Sequence, residues 1–205
     1  MNEERSSAMA QKVKKDEKTK KEQVIKAAVK LFSEQGYHDT AVSEIADEAE
    51  VAKGTVYWYF DSKEQLFWGI IVSGIEALNQ KVVAEVAKSD KTAQKKLETI
   101  IRLHLEFFKD NKEVSKMMQE SSVSPGEYFH TEMEKLRKEA IGNLAKIIKQ
   151  GQQTGEFKAE TNEQEIANFI LGSIFGSYNP HAYQLQDIEE KVELILNILC
   201  NVITV

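Results

Sequence analysis

The sequence predicts an all-α protein of about nine helices, a small N-terminal three-helix unit joined to a larger helical domain. Apolar residues recur three and four positions apart over long stretches, and runs of alternating β-branched residues are missing. Only two prolines, Pro125 and Pro180, interrupt the 205 residues. The pattern divides the chain into a basic tail over 1–17 that is expected to be disordered, a three-helix unit over 18–61 and a helical domain over 62–205.

Up to Lys21, Arg5, Lys12, Lys14, Lys15, Lys18, Lys20 and Lys21 outnumber Glu3, Glu4, Asp16 and Glu17. Such a run suits a solvated arm or a DNA-contacting one, and the residues leave both readings open. The first helix is expected from about Thr19 to Gln35, with Val24, Ala28, Leu31 and Phe32 on one face and Gly36 as its C′ stop. Two short helices follow between Thr40 and Tyr59, in TAVSEIADEAEVAKGTVYWY. Thr40 suits the N-cap of the first, Ala46 allows close approach, and Val51 fills the gap.

Ser62 and Gln65 have the spacing of a capping box. The long helix they open carries Leu66, Ile70, Gly74, Leu78, Val82 and Val86 in one stripe and is expected to end near Lys88 to Asp90. Further helices are expected from about Thr92 to Lys109, Glu113 to Gln119, Gly126 to Gln152, Glu163 to Tyr178 and Asp187 to Val202. The stretch Gly151 to Gly155 reads as a loop, and Asn179-Pro180-His181 as the break before the last helix.

The formal net charge is -6, which by itself disfavours a nucleic-acid partner. With one cysteine, Cys200, the composition fits a reducing compartment. The N-terminus has no apolar signal core, and no segment offers the roughly 18 uncharged apolar residues of a membrane span. The expectation is a soluble, cytoplasmic chain with no membrane partner. An enzyme is disfavoured, because His38, His104, His130 and His181 are dispersed and no metal-binding or phosphate-loop pattern occurs. No catalytic residue, metal ligand or cofactor is expected.

The apolar positions Val42, Ile45, Ala46, Ala49, Val51 and Val56 suit two short helices crossing steeply, the geometry of a helix-turn-helix. The second would expose Lys53, Gly54, Thr55, Tyr57, Trp58 and Tyr59, with Val56 and Phe60 inward. Lysine can reach a guanine edge or a phosphate, and threonine can bond or pack against a base. Glycine at the helix start lets backbone amides approach phosphate.

Here the chain resembles the TetR (tetracycline-repressor-like) family of regulators. The resemblance rests on Phe32-Ser33-Glu34-Gln35-Gly36-Tyr37, on Thr40 with Ile45-Ala46, on Lys53-Gly54-Thr55-Val56-Tyr57-Trp58-Tyr59-Phe60 and on Ser62-Lys63-Glu64-Gln65-Leu66. It implies a ligand-responsive transcriptional repressor of pseudo-palindromic double-stranded operator DNA. The positions it implies as DNA contacts are Thr40, Lys53, Gly54, Thr55, Tyr57, Trp58, Tyr59 and Lys63, with Lys53, Thr55 and Trp58 reading bases. Glu50 replaces the family's usual turn glycine, where positive φ would cost a non-glycine residue roughly 1 kcal/mol. Ala52 replaces the usual serine or threonine, losing a cap of about 1 kcal/mol.

Two half-sites require two copies of the chain. In the last helix Ile188, Val192, Ile195, Leu199 and Val202 repeat at the spacing of a coiled-coil seam, and Leu194 and Ile198 are expected to form a second buried face. Phe169, Gly172 and Gly176 offer close approach in the helix before it. A homodimer seam and a face buried within one chain both fit, and the resemblance implies a four-helix dimer interface. Cys200 is read as a small apolar residue near it. For a small hydrophobic effector, drug-like or a fatty acyl derivative, the candidate lining is Ile101, His104, Phe107 and Phe108, then Met117 and Met118, then Tyr128, Phe129 and Met133. The same residues fit a plain core, and His104 fits either a core position or a polar anchor.

Overall fold

A computed structural model describes residues 2–88, 92–120, 126–177 and 187–204, with side chains except at 2–18, 118–120 and 202. Among the described residues the nine helices are α1 Asn2–Asp39, α2 Val42–Glu48, α3 Lys53–Tyr59, α4 Lys63–Ala87, α5 Ala93–Asp110, α6 Lys112–Glu120, α7 Glu127–Thr154, α8 Glu163–Ser177 and α9 Ile188–Ile203. None is long and apolar enough to cross a membrane. The expected break at Asn179-Pro180-His181 lies outside the described residues.

The chain forms two compact units, one of Met1–Ile71 with Glu113–Pro125, the other of Val72–Lys112 with Gly126–Val205. The division falls inside α4 and not at residue 61, and α6 goes with the first unit. Periodicity along one helix says nothing about which neighbour takes its apolar face, so neither feature was available from spacing.

In the first unit α1 reaches back to Asn2, where a disordered tail was expected. Residues 2–18 are rich in Lys, Glu and Ala and hold no glycine or proline, so no backbone chemistry ends the helix there. It breaks at Gly36, where φ 84 and ψ 168 define a conformation essentially reserved for glycine. Val24, Ala27, Ala28 and Phe32 of α1 pack with Val42, Ile45 and Ala46 of α2 and Val56 of α3 in a buried core. The Phe32 and Phe67 rings meet edge to face with centroids 5.2 Å apart. In α6, Val114 and Met117 are buried, and Lys116 Nζ donates to the Ser33 carbonyl at 2.8 Å.

The capping box at the start of α4 forms with one variation. Gln65 N–H donates to Ser62 Oγ at 3.0 Å, while Gln65 Oε1 accepts from the Asp61 amide at 2.6 Å and not from Ser62.

In the second unit α5 packs against α7, α8 and α9 and buries Leu97, Ile100, Ile101, Leu105 and Phe108. Thr92 caps its start by accepting from Lys95 N–H at 3.3 Å. The expected loop at Gly151 is instead the last turn of α7, which runs on until Gly155 ends it with φ 75. Phe157, 1% exposed, occupies the space beside Gly151, and a Cβ there would lie 2.3 Å from its ring. The glycine therefore serves close packing within a helix, a role that looks in sequence like a loop signal. Lys158 N–H donates to the Ile203 carbonyl at 2.7 Å, tying the segment after α7 to the end of α9.

Candidate nucleic-acid interface and effector cavity

The turn between α2 and α3 is held by backbone bonds from Glu50 N–H to the Asp47 carbonyl, 3.1 Å, and from Val51 N–H to the Ala46 carbonyl, 2.9 Å. Glu50 takes φ 55, the left-handed value that the resemblance implied. Ala52 is the N-cap of α3 and supplies no side-chain bond.

α3 turns Val56 and Phe60 inward, at 2% and 8% exposure, and leaves Tyr57 46% and Trp58 65% exposed. Lys53 and Gly54 are exposed, and Thr55 and Tyr59 are half-buried. Lys53 Nζ lies 6.0 Å from the centre of the Tyr57 ring, and the Trp58 and Tyr59 rings stack edge to face at 4.7 Å. Nothing comes within 4 Å of where a Cβ on Gly54 would lie, so the backbone at the start of α3 is open to close approach.

Two predicted contact residues are placed differently. Thr40 is not the N-cap of α2. That position is Ala41, whose amide is met by Glu44 Oε2 at 2.7 Å. Thr40 is 1% exposed and its hydroxyl donates to the Gly36 carbonyl at 2.7 Å, so it closes the break in α1 from inside. Lys63 turns back on the protein, donating to the carbonyls of Tyr37 at 2.7 Å and Thr40 at 2.8 Å while lying 4.3 Å from the Tyr37 ring centre. The carbonyls freed where α1 breaks need donors, and a lysine near the start of α4 supplies them. Spacing alone does not distinguish a lysine facing phosphate from one facing a helix end.

The second unit holds a partly open cavity of about 290 Å³, close to the lower end of small-molecule sites. Ile75, Leu78, Leu136, Ala140, Leu171 and Phe175 form its apolar wall. Asn79 and His104 line it from buried positions, and His130, Met133, Glu134 and Arg137 complete it. Of the predicted lining, His104 and Met133 are there. Ile101 and Phe108 are buried elsewhere in the core, and Phe107 packs 3.4 Å from the Cβ position of Gly74. Tyr128 is 52% exposed, and Phe129 is half-buried without reaching the cavity. Met117 belongs to the first unit, beside Phe32 and Phe67, and the Met118 side chain lies outside the described residues. Asn79, on the inner face of α4, was missed, although a lone amide within an apolar stripe is a signal that could have found it.

Burial pushes the His104 pKa below its ordinary value, outweighing the bond from its ring to the Ile100 carbonyl. Among the described residues no group of three or more His, Cys, Asp or Glu could hold a metal ion.

The expected seam on α9 is corrected. Val192, Ile195 and Leu199 are 3%, 5% and 2% exposed, packed within their own chain where α9 meets α5 and α8, and Ile188 is half-buried. Leu194 and Ile198, expected to be buried, are 53% and 47% exposed. The Val202 side chain lies outside the described residues. On α8 Phe169 is 52% exposed, and Gly172 and Gly176 are exposed with nothing within 4 Å of their Cβ positions. One helix with two apolar faces has to give one to its own core, and a heptad pattern does not say which. Cys200 is half-buried, accepts from Gln94 Nε2 at 3.4 Å, and has its thiol pKa raised by burial.

Comparison with known proteins bears on both units. The family model of bacterial regulatory proteins, tetR family, matches residues 24–68, and that of the tetracyclin repressor-like C-terminal domain matches residues 90–179. The chain is 28% identical over 160 residues to the fatty acid metabolism regulator protein of Bacillus subtilis, spanning 78% of this chain and 82% of that one. The crystal structure of FadR from Bacillus subtilis in complex with stearoyl-CoA superimposes with a TM-score of 0.73 at 26% identity, over 86% of this chain and 96% of that one. FadR from Bacillus halodurans, at 22% identity, shares the fold with a TM-score of 0.72 over 87% of this chain and 96% of that one.

Proposed function

The chain belongs to the TetR family of bacterial transcriptional regulators, and from that premise we propose that it is a homodimeric repressor released from a pseudo-palindromic operator by a small hydrophobic effector. Membership makes it a DNA-binding regulator and not an enzyme. The observation that carries the DNA reading is α3. A short helix with Lys53, Tyr57 and Trp58 outward and a bare Gly54 at its start has the side chains and the open backbone that a major groove takes. In this reading Lys53, Thr55 and Trp58 meet bases, while Gly54, Tyr57 and Tyr59 meet the phosphate backbone. Thr40 and Lys63 act by shaping the head that carries them.

Dimerisation is assigned to the exposed apolar face of α8 and α9, with Phe169, Gly172 and Gly176 beside Leu194 and Ile198. The effector is assigned to the cavity of the second unit. It releases DNA only if it binds the form of the dimer that does not fit the operator more tightly than the form that does. A fatty acyl derivative is favoured over a drug-like molecule by the stearoyl-CoA complex of the Bacillus subtilis regulator, and Arg137 at the cavity provides a cation for an anionic head.

The test is a gel shift with DNA flanking the chain's own gene. Retardation of a fragment holding an inverted repeat, lost in Tyr57→Ala and weakened in Lys53→Ala with folding intact, is the expected result. Unchanged retardation in both variants removes the assignment of α3. Titration of the complex with acyl-CoA esters, plain and hydroxylated along the chain, is expected to free the DNA, and a complex undisturbed by either kind at saturation removes the acyl reading.

A further inference from the structure

Asn79 of α4 and His104 of α5 are the two buried polar side chains on the wall of the second unit's cavity, 9% and 4% exposed. Their bonds to the protein fix which atoms remain. The Leu136 carbonyl can only accept, so Asn79 meets it with Nδ2, at 3.0 Å, and keeps Oδ1 as an acceptor. The Ile100 carbonyl can also only accept, so the neutral imidazole of His104 carries its proton on Nδ1, at 2.8 Å. Nε2 is left with a lone pair. Burial disfavours the imidazolium form and so keeps that lone pair.

Both groups therefore offer the same half of a hydrogen bond. We propose that the effector filling this cavity carries a hydroxyl or N–H donor on its apolar body and gives it to the acceptors His104 Nε2 and Asn79 Oδ1. The inference rests on the assignment of the cavity as the effector site and deepens it. An unsubstituted hydrocarbon chain lying against this wall leaves both acceptors desolvated and unmet, which a site of this kind penalises. A hydroxylated or N–H-bearing ligand of similar shape meets them and keeps the contacts to Leu78, Leu136 and Leu171.

The experiment compares two probes of nearly equal shape, para-hexylphenol and para-hexylanisole, by calorimetric titration into the full-length protein. The phenol donates and the methyl ether cannot. The phenol is expected to bind at least about ten-fold more tightly, as for a site that bonds a ligand hydroxyl. In His104→Phe, and independently in Asn79→Leu, that preference is expected to shrink, with circular dichroism checking that each variant folds. Ala140→Trp, which fills the cavity wall, is expected to abolish binding of both probes. Equal binding, or tighter binding of the ether, overturns the inference and leaves the cavity assignment standing. A preference undiminished in both acceptor variants, or binding that survives Ala140→Trp, overturns it as well. Binding of neither probe removes the cavity assignment together with the inference.

Discussion

Lys63 Nζ lies 2.8 Å from the carbonyl oxygen of Thr40, so a side chain at the start of α4 closes the backbone just beyond the break in α1. The same ammonium serves the Tyr37 carbonyl. Lys63→Met leaves these oxygens to water and is expected to destabilise the protein by about 1–3 kcal/mol, read as a lower urea midpoint with unchanged slope. The salt dependence of operator binding separates this role from a phosphate contact. Lys53→Ala is expected to lower the slope by about one ion, and Lys63→Met to leave it unchanged.

Gly151 sets helix propensity against packing. Alanine is favoured over glycine within a helix by about 1 kcal/mol, but its Cβ would lie 2.3 Å from Phe157 Cδ2 and 2.9 Å from Ala93 Cβ. Overpacking costs typically about 1–3 kcal/mol, and two simultaneous clashes belong at the upper end. Gly151→Ala is expected to lower the thermal midpoint, and adding Phe157→Leu to recover part of the loss.

At Glu50 the backbone decides. Its φ of 55 costs a residue with a Cβ about 1–2 kcal/mol that glycine avoids, while glycine loses more chain entropy on folding. Glu50→Gly is expected to raise stability by about 0.5 kcal/mol, the small surplus of these opposed effects, measured by urea denaturation. It also removes a negative charge from the turn preceding α3, so operator affinity is expected to rise at low salt.

Exposure on α9 separates assembly from folding. Leu194→Glu, at a half-exposed position, is expected to yield folded monomers in sedimentation velocity. Leu199→Glu, at a position 2% exposed, places a charge in the core and is expected to unfold the chain. Folded dimers of Leu194→Glu would contradict the placement of the dimer face.

His104 makes stability depend on pH. Its folded pKa is depressed, so as pH falls through the ordinary value of about 6.5 the unfolded chain takes a proton that the folded one refuses. Its contribution is complete above that value and is lost as pH drops below it. His104→Leu is expected to flatten the decline in urea midpoint between pH 7.5 and pH 5, and an unchanged profile would contradict a neutral buried imidazole.

Much of the fold was legible because its signals are local. The helix starts at Ser62, Thr92 and Asp187 are marked by side chains that bond amides within the next few residues. Gly36 breaks α1 where a stop was expected, and Glu50 takes the left-handed conformation expected of its position in the pattern. The outward run Tyr57-Trp58 could be inferred because a seven-residue helix with Val56 and Phe60 inward has no second place to hide them.

The sequence by itself determined the all-helical order, the helix-turn-helix and the display of Lys53, Tyr57 and Trp58 on α3, since each depends on periodicity and on bonds spanning a few positions. Only the tertiary structure decided that Thr40 and Lys63 face inward, that α6 packs with the head, that α9 buries Val192 and shows Leu194, and that Asn79 and His104 share one cavity. Those outcomes depend on which of several chemically suitable partners, far apart in the chain, comes to lie against a given face. Local spacing carries no record of that choice.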